Sequence, residues 1–263
     1  MTAAERFSLE GRKAVITGGS RGLGRATALA FAEAGADVLI SSRKQESCEE
    51  AAAEIRERTG REAIAHAAHA GNWDQLGGLV DRAYEAFGKL DVLVNNAGMS
   101  PLYEKPDTIS EELWDKVLAV NLKGPFRLCA LIGKRMVADG GGSIINVSSA
   151  GALAPHAGVI PYAAAKSGLN ALTEAFARAL GPSVRVNAIL PGTFLTDISD
   201  HWDMEEFERE ANGFALRRGA RPEEIVGSML YLASDASSYT TGALLEVDGG
   251  YVLPPDSGRA QEY

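Results

Sequence analysis

Three side chains, Ser149, Tyr162 and Lys166, have the types and spacing of an acid–base centre. A tyrosine and a lysine four residues apart on a helix project from one face, one turn apart. A free phenol titrates near pH ~10, too high for efficient proton transfer at neutral pH, but a nearby ammonium favours the phenolate. A lowering of about two or three units would bring it to where general acid–base catalysis is most effective. Ser149 lies thirteen residues before the tyrosine, at the end of an apolar run, and its hydroxyl can hold a substrate oxygen toward the phenol. If that run is a strand, the neighbouring Ser148 points the opposite way.

A second cluster suits a phosphate. The stretch TGGSRGLG, 17–24, follows the apolar run Ala14-Val15-Ile16 and has four glycines in eight residues. Glycine allows positive φ and close approach of a ligand to the main chain, and the helix that follows offers free N–H groups and a positive dipole end. Pyrophosphate fits such a turn, with Gly18, Ser20, Arg21, Gly22, Leu23 and Gly24 as its expected contacts. The spacing Gly18-xxx-Gly22-x-Gly24 differs from the commoner G-x-G-x-x-G fingerprint. Eighteen to nineteen residues beyond Gly24 stand Ser42 and Arg43. A carboxylate there would bind ribose hydroxyls, whereas a guanidinium fork suits a 2′-phosphate through two charge-assisted hydrogen bonds. With Arg21 as a second cation and Asp37 at the wrong end of its strand, NADP(H) is expected over NAD(H).

These groups need elements to hold them. Apolar runs at 14–17, 38–41, 63–67, 92–95, 143–147, 184–189 and 244–247 read as strands, with helical segments at 22–33, 45–58, 73–87, 111–136, 162–180 and 222–234. Buried strands separated by helices require a parallel sheet covered on both faces. Right-handed crossovers make it an α/β, Rossmann-type doubly wound, seven-stranded sheet, with its ligand crevice beyond the carboxyl ends of the strands. No internal repeat or linker divides the chain, so 1–263 is expected to be one dinucleotide-binding and catalytic domain. The segment 193–214 is long for a connection and is expected to be a substrate lid; the polar tail 254–263 is expected to be disordered or to dock on a neighbouring subunit.

Composition narrows the class. At 263 residues, with 46% apolar and 23% charged residues, the chain has the make-up of a globular protein. A net charge of -9 and two short basic clusters, Lys134-Arg135 and Arg217-Arg218, argue against nucleic acid. Cys48 and Cys129 are too few for a disulfide framework or a cysteine zinc site, and no metal is expected. Residues 1–13 carry no signal-peptide apolar region and nowhere do eighteen apolar residues run together, so the expected compartment is the cytoplasm, without membrane attachment.

Preceded by Thr17, the glycine pattern TGxxxGxG resembles the nucleotide-binding signature of the classical short-chain dehydrogenase/reductase family, of the NADP-preferring type. The resemblance extends to Asn95-Asn96-Ala97-Gly98 after the fourth strand, Asn121 in the next helix, Ser149, Tyr162-xxx-Lys166, Pro191-Gly192 after the sixth strand, and Asp248-Gly249-Gly250. It implies that Tyr162 exchanges a proton with a carbonyl or alcohol oxygen, and that Lys166 lowers its pKa and holds the nicotinamide ribose. Asn121 is implied to maintain a helix kink and a water-linked proton path to the lysine. By the same resemblance Asn95, Ala97, Gly98, Pro191, Gly192 and Thr196 contact the cofactor. Many relatives have Asp-Val after the third strand; His69-Ala70 stand there here and are assigned the adenine contact. The family also implies a homotetramer built on helices 111–136 and 162–180.

The substrate pocket is expected from 151–161 and 193–214, with His156 a solvent-facing loop residue. Phe194, Leu195, Trp202, Met204 and Phe207 suit a hydrophobic ketone or secondary alcohol, or simply pack the lid down. A 3-oxoacyl-[acyl-carrier-protein] reductase is an alternative, since Lys134, Arg135 and Arg178 could meet an acidic carrier. A non-catalytic NADP(H)-binding sensor is a third reading, opposed by the intact Ser149, Tyr162 and Lys166.

Overall fold

Runs such as Val38-Leu39-Ile40, Val92-Leu93-Val94 and Ile144-Ile145 combine strand-favouring side chains with full burial, which only the interior of a covered parallel sheet offers. In a computed structural model, which describes residues 2–197, 199 and 202–253, they do form such a sheet. Its strands are β1 (Lys13–Thr17), β2 (Asp37–Ser42), β3 (Ala63–Ala67), β4 (Val92–Asn95), β5 (Gly142–Val147), β6 (Val184–Pro191) and β7 (Leu244–Val247). All neighbours are parallel, in the order β3-β2-β1-β4-β5-β6-β7. The order reverses direction between β1 and β4, where a ligand crevice opens.

Alternation along the strands feeds two cores. Ala14 and Ile16 of β1 pack with Phe31 of α1 (Gly22–Glu33), Ile55 of α2 (Gln45–Thr59) and Met229 of α8 (Val226–Ala233). Val15 faces the opposite side, with Leu79 of α3 (Trp73–Phe87), Ile132 of α5 (Gly124–Ala138) and Ala177 of α6 (Ile160–Leu180). The sheet is thus a middle layer with helices on both faces.

Three stretches differ from expectation. The helix expected over 111–136 is divided into α4 (Glu111–Leu118), a π-helical turn (Ala119–Lys123) and α5. Two residues explain the break. Pro125 has no N–H for the carbonyl of Asn121 four residues earlier, and the loop after β3 presses into the turn, so that a Cβ on Gly124 would lie 1.9 Å from the Ala70 carbonyl oxygen. The segment 193–214 contains a helix, α7 (Met204–Ala211), capped by Asp203, whose Oδ1 accepts from the N–H groups of Glu205 and Glu206 at 3.0 Å. The helix expected over 222–234 opens with a 3-10 turn, Pro222–Ile225, before α8. The tail 254–263 lies outside the described residues.

Candidate active site

β5 and α6 carry the catalytic side chains. Beyond β5, Ser148 turns inward and its Oγ donates to the Lys166 carbonyl at 3.3 Å, while Ser149 turns toward the Tyr162 phenol and favours its charged form. Ser149 also caps the short turn Ala150–Ala152, accepting from the Gly151 N–H at 3.0 Å, so its hydroxyl is held in place. Tyr162 is the third residue of α6. One turn later Lys166, 2% exposed, donates through Nζ to the Val147 carbonyl at 2.7 Å, with Nζ 5.6 Å from the centre of the Tyr162 ring.

The electrostatics depart from expectation. Desolvation pushes the Tyr162 phenol above its ordinary range, offset in part by the hydrogen bond with Ser149. Burial also brings the Lys166 ammonium down to about 7. The lowering of the phenol expected from the lysine therefore does not dominate in this geometry: the medium that strengthens charge interactions here disfavours both charged forms.

Asn121 sits in the π turn, fully buried. Its Nδ2 donates to the carbonyls of Val117 and Met99, at 3.0 and 2.8 Å, and its Oδ1 accepts from the Met99 N–H at 3.1 Å. A Cβ on Gly98 would lie 3.1 Å from Asn121 Oδ1 and 3.7 Å from Lys166 Nζ, so the Gly98 backbone rests against both. The fold thereby gathers Asn121, Ser149, Tyr162 and Lys166 at one end of the sheet.

The glycine turn is built as a cradle. Gly18 and Gly22 have φ of +64° and +51°, a conformation that favours glycine. A Cβ on Gly24 would come 2.3 Å from the Gly18 carbonyl oxygen, so α1 starts against the turn with no side chain between them. Arg21, at the N-cap of α1, makes no capping bond, and Ser20 and Leu23 flank the turn half-buried. Positive-φ glycines at a helix N-terminus fit a pyrophosphate.

Asn96 is the residue that sequence reasoning left out. Its Nδ2 donates to the carbonyls of Thr17 and Gly18, at 2.9 and 3.2 Å, while the N–H groups of Asn96 and Ala97 both donate to Thr17 Oγ1 at 3.1 Å. The NNAG stretch carries the signal, although Asn95 is the contact it leads one to expect. The Asn95 side chain turns the other way, donating to Asn146 Oδ1 at 2.9 Å and Cys129 Sγ at 3.3 Å, because successive strand residues face opposite sides. Asn146 in turn donates to Thr173 Oγ1 at 2.9 Å, and that hydroxyl to the Leu169 carbonyl at 2.8 Å, a buried polar chain linking β4 and β5 to α6.

At the end of β2, Arg43 is exposed and makes no hydrogen bond or ion pair with the described residues, and Ser42 Oγ lies 3.1 Å from Cys48 Sγ. Asp37 occupies the opposite end, paired with Lys13 and Arg61. Arg21 bonds Asp197 at 2.7 Å, tying the glycine turn to the segment after β6, where Thr196 also comes close to Gly22. Gly192 follows Pro191 and donates to the Val247 carbonyl at 3.0 Å; a Cβ there would lie 2.6 Å from Asp248 Cα. His69 shapes its own loop, its Nδ1 accepting from the Gly71 N–H at 3.0 Å and its N–H donating to Gln75 Oε1 at 2.7 Å, while Ala70 meets Gly124.

On the substrate side, His156 is exposed and caps the turn Ala157–Val159 through Gly158. Phe194 and Phe207 are buried and hold 193–214 down, whereas Trp202 and Met204 stay exposed, Trp202 with its ring 5.7 Å from that of Phe207. Tyr103, also absent from the expected site, bonds to Ala157 and Ile160 at the entry to α6. An open groove of about 820 Å³ lies away from this centre, between α4, α5 and α6, lined by Leu118, Leu122, Phe126 and Leu172. Among the described residues no helix is long and apolar enough to cross a membrane.

Comparison with known proteins places this geometry among relatives. The family described as enoyl-(acyl carrier protein) reductase matches residues 18–252. The chain is similar to a short-chain dehydrogenase/reductase of Aspergillus oryzae, 38% identical over 95% of this chain and 98% of the relative. A 3-oxoacyl-[acyl-carrier-protein] reductase of Thermotoga maritima is 36% identical over 93% of this chain and 99% of its own. Among solved structures, an NADPH-dependent 3-quinuclidinone reductase of Rhodotorula rubra superimposes with a TM-score of 0.89 at 32% identity, covering 96% of each chain.

Proposed function

Because the chain belongs to the short-chain dehydrogenase/reductase family and is an oxidoreductase acting on CH–OH groups, we propose that it interconverts a carbonyl and an alcohol with NADP(H), Tyr162 serving as general acid and base. The observation that carries this reading is that Ser149, at the end of β5, acts on the Tyr162 phenol beside the buried Lys166, with Nζ 5.6 Å from the centre of the phenol ring. When bound, the nicotinamide supplies the hydride for reduction and takes it for oxidation. Ser149 orients the substrate oxygen, and Tyr162 gives that oxygen a proton or removes one. Lys166 favours the phenolate whenever it is charged and holds the nicotinamide ribose; Asn121 keeps the wide turn beside it and continues the proton path. The glycine turn, with Ala97 and Gly98, holds the dinucleotide, Pro191, Gly192 and Thr196 border its amide, and His69 and Ala70 its adenine. The preference for NADP(H) rests on Arg43, exposed beyond β2 where an NAD site has a carboxylate. Residues 1–263 act as a single domain with 193–214 as its lid, in the cytoplasm.

NADPH oxidation by wild-type and Tyr162→Phe protein across ketones, aldehydes, quinones, sugars and 3-oxoacyl thioesters tests the reading. Turnover by the wild type alone is expected; equal turnover by both would exclude the tyrosine mechanism. NADPH is expected to bind more tightly than NADH, with Arg43→Ala removing the difference. Equal affinities that Arg43→Ala leaves unchanged would refute the cofactor assignment.

A carrier-linked 3-oxoacyl substrate is the second reading, favoured by the Thermotoga maritima relative and by exposed Lys134 and Arg178. Arg135 is engaged elsewhere, bonded to Asp81 at 3.3 Å and lying over the Tyr84 ring. Kinetics with carrier-linked and short thioesters decide it, since no preference for the carrier removes this reading.

A further inference from the structure

Resting on the acid–base role of Tyr162, we infer that Tyr103 is a positioning residue: its phenolic oxygen caps the helix that bears Tyr162 and so fixes where the catalytic phenol stands.

α6 begins without a cap of its own. Val159 occupies the N-cap position, has no side-chain oxygen and makes no capping bond. Pro161 has no N–H, which leaves the Ile160 N–H as the first donor of the helix, two residues before Tyr162. Tyr103 supplies the missing acceptor from another part of the chain: the Ile160 N–H donates to its oxygen at 2.7 Å. The same hydroxyl donates to the carbonyl of Ala157, in the turn that leads into the helix. One hydroxyl therefore uses its donor and an acceptor site on the two sides of the helix entrance.

Tyr103 is itself tied to the catalytic centre. It belongs to the segment after β4, and Met99 of that segment is clamped in both directions by Asn121, N–H to Oδ1 at 3.1 Å and Nδ2 to carbonyl at 2.8 Å. Tyr103 and Tyr162 line one narrow cleft with Val117, Val159 and Pro161. The adjoining Leu102 is 93% exposed, and the two hydroxyl bonds of the half-buried Tyr103 fasten the segment to the helix entrance. α6 thus has two anchors around its catalytic tyrosine, Tyr103 on the first turn and the Lys166–Val147 bond on the second. Helix ends fray when their first donors are unpaired, and a shift of ~1 Å in a reacting group can cost ~100-fold in rate.

The test is Tyr103→Phe in the whole protein, which removes one oxygen. Amide hydrogen exchange at Ile160 is expected to quicken at least tenfold, and kcat on the best carbonyl of the panel to fall about tenfold. KM and the Kd for NADPH are expected to stay within about twofold, with Tm nearly unchanged, since the cofactor cradle is elsewhere. Unchanged exchange at Ile160, a kcat within twofold of wild type, or losses of NADPH affinity and Tm in step with kcat would each overturn the inference. Should the variant not fold, the wild type decides: an Ile160 amide exchanging like an exposed loop amide overturns it, and a protected one supports it. A wild type that turns over no carbonyl would instead sink the acid–base reading, while exchange at Ile160 would still report on the tether.

Discussion

Lys166 is a charged residue in a place that disfavours charge, and its pKa near 7 sets a pH dependence with a definite sign. The unfolded chain binds a proton at this residue below about pH 10.4, whereas the folded chain does so only below about 7. Its contribution to stability is therefore full above the unfolded value, falls as the pH drops through that window and is constant below the folded value. Lys166→Met removes the dependence, so thermal melts should show wild type gaining on the variant as the pH rises from about 7 to 10. Turnover by the variant should drop about 100-fold or more, because no cation then favours the phenolate. Ser149→Ala is expected to lower kcat by about 100-fold while NADPH affinity, measured by fluorescence titration, stays within about twofold, since the hydroxyl faces the phenol and substrate rather than the cradle. Loss of its hydrogen bond should also move the basic limb of the pH–rate profile upward, because that bond is what offsets the desolvation of Tyr162.

Among the elements, the break at Ala119–Lys123 matters most, because it seats Asn121 beside Met99 and receives the loop after β3. Gly124→Ala places a methyl on the Ala70 carbonyl and should destabilise the fold by about 1–3 kcal/mol, read as a lower midpoint in urea. The strands were legible because each is a short apolar run between polar segments, and the turn at 17–24 because its glycines have few other uses. The divided helix was less so. Its hydrophobic period continues across the break, and one physical cause, the Ala70 carbonyl pressing on Gly124 from far earlier in the chain, is a tertiary contact; Gly124-Pro125 is the local hint. α7 is hard to read from sequence because five of its eight residues are charged, leaving only Phe207 and Ala211, four apart, to mark a buried face. Ser149, Tyr162 and Lys166 could be read from their spacing, whereas Asn96 and Tyr103 act through single polar atoms on distant backbone, which no period or spacing reveals.

For the whole molecule, the apolar groove between α4, α5 and α6, lined by Leu122 and Phe126, lies on the helices through which a homotetramer is expected to form. Light scattering should give about four times the chain mass, and Leu122→Glu should reduce it by placing a charge in that surface. A monomer mass for the wild type would remove the assembly. Another consequence lies at the centre of the sheet. Asn95 and Asn146 stand directly opposite each other in the β4–β5 register and share a hydrogen bond, both fully buried or nearly so. If the two strands slid by one residue, the Asn95 amide would lose Asn146 Oδ1 as its acceptor, at about 1–3 kcal/mol for a buried polar group left unpaired. Aliphatic neighbours tolerate such a slide, but this pair does not. It acts as a key cut for a single alignment, and because Ser149 follows β5 and Gly98 follows β4, the alignment it admits is the one that brings the Ser149 hydroxyl and Gly98 to the same end of the sheet.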